Sequence, residues 1–477
     1  MGRSDFVGRT RELGVLAEEF AAVQVGGGDR PGRCVVIGGR RRSGKTRLVQ
    51  EFIERAHAPS VFFTAAGISP VQELANLVEA ITISGLADGS AEQQPSTWDT
   101  AFRTLADVLP TDRPSIVVID EFSHLIERVD NVEPSLLAVW DEVMAAKPVL
   151  LLLVGSDLLR AGEQRRPGQR LRQNARQLAV DPLSPADVQD MTGLTASEAL
   201  EARLVTGGMP LLCREWRPGR KLTSFLRSGL VNPATPLVSS GQTLMGVDVP
   251  DEAHGRIMLP AIATGEGSFT AILRAADVNR MTFNRSLEIL TRKGVAVGDR
   301  PLSTWPSRES RYRIADSYFG FWLRFVMPYL GEIERDRSDL TLRRIQAAWP
   351  AWRAWAIRPL VRASLDRLLR RLDAPWLDHG SATVIGGYWT RSNSVVVDLV
   401  GADHAPTANR IGLVGAVHWE NSGGFDPMRV AALAEARERI PGAELYTPMI
   451  VVSREPTEVV GVDATFYADD LVAAWRP

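Results

Sequence analysis

Cysteine and lysine are the scarce residues of this 477-residue chain, and each scarcity narrows what it can be. Cys34 and Cys213 are the only cysteines, which leaves neither a disulfide framework nor a zinc cluster. A reducing, cytoplasmic location is the expectation. Long apolar runs are missing too. Val149-Leu-Leu-Leu-Leu-Val154 is far too short to cross a bilayer, and Met1-Gly-Arg-Ser-Asp-Phe6 carries no apolar signal core, so no membrane partner is expected. An excess of one charge is also absent: 55 Lys+Arg stand against 57 Asp+Glu, so any affinity for a polyanion must be local. The basic residues are nearly all arginine, with lysine only at positions 45, 147, 221 and 293. Length and a 45% hydrophobic content describe a globular chain of about two to four domains.

One of the four lysines stands in the most informative segment. Residues Gly39-Arg40-Arg41-Arg42-Ser43-Gly44-Lys45-Thr46 follow the apolar run Cys34-Val-Val-Ile37 and lead through Arg47 into Leu-Val-Gln-Glu-Phe52. Glycines at both ends of a loop between strand and helix allow backbone N–H groups to converge on a phosphate. Lys45 then reaches the β and γ oxygens, and Thr46 offers a hydroxyl to Mg²⁺. ATP and Mg²⁺ are therefore the expected ligands, with residues 39–47 as the nucleotide-binding set.

A second half of such a site is present. Ser115-Ile-Val-Val-Ile-Asp120-Glu121 reads as a buried strand ending in two acids, with Asp120 a metal ligand beside Thr46 and Glu121 the group that polarises an attacking water. An acid directly after the aspartate favours an ATPase over a GTPase, and no Asn-Lys-x-Asp occurs. The strand Val149–Val154 is expected beside the phosphate-loop strand. Its end places Ser156 either as a catalytic sensor of the nucleophilic water or as a residue that merely ends the strand.

Strand and helix signals alternate from an opening helix over 5–24 to a short strand at 178–180, which predicts a parallel sheet with helices on both faces over 1–182. Helical patterns follow over 183–245 as a lid, interrupted at Gly207-Gly-Met-Pro210. There Pro210 either meets an adenine ring or simply breaks a helix. Residues 231–247, rich in Pro, Ser and Gly, read as a linker.

Residues 246–315 carry three helices and a hairpin, a winged-helix pattern. Its third helix bears Arg280, Asn284, Arg285, Arg292 and Lys293, suited to duplex DNA, but also Glu288. A packing or dimer module is the alternative. From 316 to 477 a Trp-rich helical section precedes an α/β module. Trp349, Trp352 and Trp355 are expected to pack into a core, with Arg353 and Arg358 reaching outward. The fold class expected is thus a P-loop α/β ATPase with a helical lid, then a winged helix and a further α/β domain.

Taken in order, Phe6-Val-Gly-Arg9, the phosphate loop, Val118-Ile-Asp-Glu-Phe122, Gly155-Ser156, Gly207-Gly-Met-Pro210 and Tyr312-Arg-Ile-Ala-Asp-Ser-Tyr-Phe-Gly-Phe-Trp322 resemble the prokaryotic, archaeal-type AAA-like ATPases related to the STAND NTPases. The resemblance implies a C-terminal domain similar to PD-(D/E)xK nucleases. In that pattern Asp398 is kept, Ala416 stands at the metal-ligand position, His418 at the lysine position, and Arg358 replaces the helical glutamate. Glu420 falls beyond the strand. One carboxylate and a neutral histidine suit Mg²⁺ poorly, so a nuclease-like fold without nuclease activity is expected. An Asp398–His418 catalytic pair stays open.

The function expected is a Mg²⁺-dependent ATPase acting as a nucleotide-driven conformational switch. A DNA-binding regulator with ATP as effector, and less favourably an ATP-dependent nuclease of a defence system, are the alternatives. A homo-oligomer or protein partner is possible, with Arg170 or Arg172 as a trans-acting arginine.

Overall fold

The computed structural model describes residues 6–25, 31–86, 95–156, 158–159, 175–265, 267–420 and 424–476. The chain divides into two compact units, Met1–Pro182 and Leu183–Pro477.

The first unit is built on five parallel strands: β1 (Arg33–Gly38), β2 (Ser60–Thr64), β3 (Ser115–Asp120), β4 (Val149–Gly155) and β5 (Arg176–Ala179), in the order β2-β3-β4-β1-β5. Strands β3 and β4 are buried along their whole length, as continuous apolar runs in a sheet covered on both faces should be. Their side chains alternate between two cores. Ile116, Val118, Leu150 and Leu152 pack with Leu16 and Phe20 of α1 (Thr10–Val25) and with Leu48 and Phe52 of α2 (Lys45–Ala56). Val117, Ile119, Leu151 and Leu153 face the other way. There they meet α3 (Pro70–Ile83), α4 (Trp98–Val108), α5 (Phe122–Arg128) and α6 (Val132–Glu142).

Register brings Gly38 opposite Gly155 and Thr64 opposite Asp120, so β1, β3 and β4 end together. Ligands of open parallel sheets bind at that carboxyl edge. The opening helix starts at Thr10 rather than residue 5, because Gly8 and Arg9 both hold positive φ, 75° and 63°.

In the second unit, helices Gly255–Ala263, Phe269–Ala276 and Arg280–Arg292 precede the antiparallel pair β6 (Ala296–Asp299) and β7 (Arg311–Ile314). A later five-stranded sheet has the order β12-β11-β10-β9-β8. Its strands are β8 (Val384–Trp389), β9 (Val396–Ala402), β10 (Ile411–His418), β11 (Met449–Ser453) and β12 (Ala464–Phe466), antiparallel from β8 to β10 and parallel from β10 to β12.

Two sequence expectations are corrected here. Most of the stretch taken as a linker is the helix Pro236–Val247. Its small residues are a packing face: a Cβ on Gly241 would lie 2.1 Å from the Trp322 ring, while Tyr318 Oη and Trp322 Nε1 donate to the carbonyls of Leu237 and Val238. The second correction is Arg353. Trp349 and Trp352 are buried against Phe321, as expected of a core stripe, but Arg353 does not reach outward. It is 2% exposed, its Nη1 lies 2.8 Å from Glu201 and its Nη2 donates to the Trp419 carbonyl at 3.2 Å.

Arg454 completes this cluster, its Nε 2.9 Å from the same Glu201 oxygen. Removing one member of a buried ion pair strands the other in low dielectric, at a cost of about 3–5 kcal/mol. Arg353→Met is expected near the low end of that range, because Arg454 still faces Glu201. A chemical denaturation midpoint unchanged from wild type would show that the pair contributes nothing net.

Candidate functional site

The loop after β1 is shaped by backbone conformations that few residues tolerate. Gly39 has φ 153°, and a Cβ there would stand 2.2 Å from the Val180 carbonyl oxygen. Gly44, at φ 90°, caps α2 without any side-chain bond to the helix, so the first-turn N–H groups of a 12-residue helix are left for a ligand. Arg42 also has a positive φ, 62°, which for a side-chain-bearing residue is strain of about 1–3 kcal/mol.

Lys45 is 5% exposed, and its Nζ lies 3.1 Å from Gly39 O, 2.9 Å from Arg40 O and 3.3 Å from Ser156 Oγ. The sensor-strand serine is therefore at the loop. Thr46 Oγ1 donates to Asp120 Oδ2 at 2.7 Å, joining the two predicted metal ligands between the start of α2 and the end of β3. Asp120 is 2% exposed, and burial pushes its carboxyl above the usual range. The hydroxyl of Thr46 and the N–H of Glu121 oppose that shift.

Glu121 follows with φ 51°, a left-handed residue at the start of α5. Its Oε2 is buried without a hydrogen-bond partner, and so are Arg42 Nη1, Ser43 Oγ, Ser123 Oγ and His124 Nδ1. Buried polar atoms are rarely left unpaired, so this concentration around one loop marks a place built for a polar ligand. The donor set suits a nucleotide polyphosphate, and Thr46 with Asp120 would hold its Mg²⁺.

Other predicted residues are engaged differently. Arg41 Nη2 lies 3.2 Å from His124 Nε2. Arg47 runs along α2, paired with Glu51 at 2.9 Å and Glu54 at 3.1 Å. Pro210 begins the helix Pro210–Glu215 of the second unit. Arg170 and Arg172 lie outside the described residues.

Three residues given no role by the sequence also build the site. Arg9, 8% exposed, donates through Nη2 to the Ser43 carbonyl at 2.8 Å and pairs with Glu12, bracing the loop from behind. Its signal was the glycine before it in Phe6-Val-Gly-Arg9. Ser123 crowds Gly155, where a Cβ would lie 2.4 Å from its Oγ, and His124 contacts Arg41. Neither was legible from spacing alone.

In the second unit, Asp398 of β9 is held by Arg358, whose Nε lies 2.9 Å from Oδ1, and accepts the Val417 N–H on Oδ2 at 3.2 Å. Arg358 thus occupies the aspartate with a cation of its own. His418, 4% exposed, accepts on Nδ1 from Arg429 Nη1 at 2.7 Å. Glu420 lies past the end of β10. Among the described residues no three His, Cys, Asp or Glu side chains are grouped to hold a metal ion.

This phosphate-loop geometry has a counterpart among known domains. Residues 5–171 match the AAA ATPase domain. The first unit is accordingly an ATP-binding ATPase domain in general type. An uncharacterized protein of Methanocaldococcus jannaschii is 22% identical over 406 residues, covering 82% of this chain and 83% of its own. Among solved structures, a Walker-type ATPase of Pyrococcus abyssi aligns at 17% identity and TM-score 0.46, over 67% of this chain and 97% of that one. The ORC2 protein of Aeropyrum pernix, in ADPNP and ADP complexes, aligns at 15% identity and TM-score 0.46, over 72% and 98%. No helix among the described residues is long and apolar enough to cross a membrane.

Proposed function

We propose that the chain is a Mg²⁺-dependent ATP hydrolase whose nucleotide state switches the conformation of its second unit. The observation that carries this reading is the convergence of Lys45, Ser156, Thr46 and Asp120 at the ends of three adjacent parallel strands. In this reading the N-terminal turn of α2 and Lys45 bind the β and γ phosphates, and Ser156 orients the attacking water. Glu121 takes the proton from that water as the bond to the γ-phosphorus forms and ADP departs. Mg²⁺, when bound by Thr46 and Asp120, neutralises charge on the phosphates. The helical segment 183–245, with Pro210, is the proposed relay.

ATP hydrolysis by the full chain with and without Mg²⁺ tests the chemistry. Turnover that requires the metal supports it; tight ATP binding with no turnover under either condition contradicts it.

A second reading draws on the helix Arg280–Arg292, in which Arg280, Asn284 and Arg285 are exposed while Phe283, Ser286 and Leu287 are buried. With β6 and β7 as the wing, residues 246–315 would form a winged helix that places these side chains on duplex DNA. In this reading the 316–477 domain is nuclease-like, and the Arg358–Asp398 pair supports its being inactive, because the cation takes the carboxylate a metal would need. A duplex incubated with the protein and Mg²⁺ should be retarded and left intact, with the retardation lost in Arg280→Ala/Arg285→Ala and falling as salt rises. Cleavage that disappears in Asp398→Ala, or retardation indifferent to both arginines, would contradict it.

A further inference from the structure

A cavity of about 590 Å³ opens in the second unit, between the β6–β7 pair, the helix Arg358–Leu369 and strand β8. Its formation follows from the chain after β6. Leu302 N donates to the Gly387 carbonyl at 2.9 Å, laying the connection against β8. Gly386 and Gly387 permit that approach: a Cβ on Gly386 would stand 2.5 Å from Leu302, and one on Gly387 2.3 Å from Arg362 Nη2. The size falls within the range of pockets for small organic ligands, about 300–1,000 Å³.

The charge of its wall is unbalanced. Arg300, Arg313 and Arg362 line it together with Asp299 and Asp366. Asp299 pairs with Arg313 at 3.0 Å, and Asp366 is taken by Arg370 at 3.0 Å. Arg300 and Arg362 therefore remain as two positive charges in surplus. Arg362 is the unusual one. It donates from Nε and Nη2 to the main-chain carbonyl of Asp398, at 3.0 and 2.7 Å, and no carboxylate among the described residues lies within ion-pair distance of it. Burial pulls its guanidinium below the ordinary range, and Arg358 and Arg313 add to that while Asp299 and Asp398 oppose it. Arg362 is half-buried, and with no carboxylate among the described residues at ion-pair distance its charge is left for an anion to complete. Apolar wall from Leu302, Ile385 and Pro406 supplies a surface for an uncharged body.

We infer that this cavity is a second ligand site, for a small molecule carrying a phosphate monoester, with the phosphate on Arg362 and Arg300 and the body on the apolar wall. A phosphate monoester bears about −1.5 to −2 charges at neutral pH, which matches the surplus, and the guanidinium fork suits its oxygens. The ligand would tie the β6–β7 pair to the C-terminal sheet.

The test is isothermal titration of inorganic phosphate and of phenyl phosphate into the full chain carrying Lys45→Ala, at constant chloride, so that the phosphate loop does not contribute. One saturable site per chain is expected, tighter for phenyl phosphate. Ala363→Glu adds a carboxylate at an exposed position on the cavity wall and should weaken binding about tenfold or more without changing the melting temperature. Arg362→Lys, which keeps the charge but not the fork, should weaken it less. No saturable binding, or equal affinity in Ala363→Glu, overturns the assignment. Release of phenyl phosphate by equimolar duplex DNA would also overturn it, making the face a nucleic-acid surface instead.

Discussion

Lys45→Ala is expected to abolish measurable ATP binding while leaving the fold intact. The ammonium is nearly buried and directs its hydrogens at Gly39 O, Arg40 O and Ser156 Oγ, where phosphate oxygens would compete for them. Hydrogen bonds to a charged group contribute about 1.5–3 kcal/mol each, so losing two corresponds to about 100-fold or more in affinity. Arginine offers no rescue, because the planar fork cannot replace a compact ammonium at that depth. Equilibrium binding of labelled ATP, with the melting curve as a fold control, checks this. Wild-type affinity in the variant would place the nucleotide elsewhere.

Glu121→Gln separates binding from turnover. The amide keeps the shape of the side chain but cannot accept the proton of the attacking water, and loss of a general base costs about 10²–10⁴-fold in rate. ATP affinity should stay near that of wild type, since Lys45, Thr46 and the loop are untouched. The left-handed backbone at Glu121 gives this prediction its structural weight. Strain of that kind in a side-chain-bearing residue persists where the surroundings hold it, here through the Glu121 N–H bond to Asp120 Oδ1 at 2.9 Å. Equal steady-state rates in variant and wild type would remove Glu121 from catalysis.

What could be read from the sequence was what local patterns encode. The phosphate loop, the β3 and β4 runs and the positions of Asp120 and Ser156 depend on residues close together in the chain, and the parallel sheet follows from their alternation with helices. What could not be read depends on partners far away. The Ser- and Gly-rich stretch before Val247 looks like a linker until Trp322 is seen lying on Gly241. Arg353 belongs on the surface by type, and partners far away in the chain, Glu201 and the Trp419 carbonyl, hold it inside. Arg9 stands 34 residues from the loop it braces. Arg358 stands in the sequence where the nuclease pattern has a glutamate; its ion pair with Asp398 is a matter of three-dimensional packing.

The claim that nucleotide state drives the second unit is tested most directly by hydrogen exchange over residues 183–477. The comparison is between Glu121→Gln saturated with Mg²⁺ and ATP, where hydrolysis is halted, and the same protein saturated with Mg²⁺ and ADP. The account predicts peptides within 183–245 whose protection differs between the two nucleotides, with the difference absent in Lys45→Ala. Identical exchange throughout 183–477, alongside protection of the phosphate loop by both nucleotides, would contradict it.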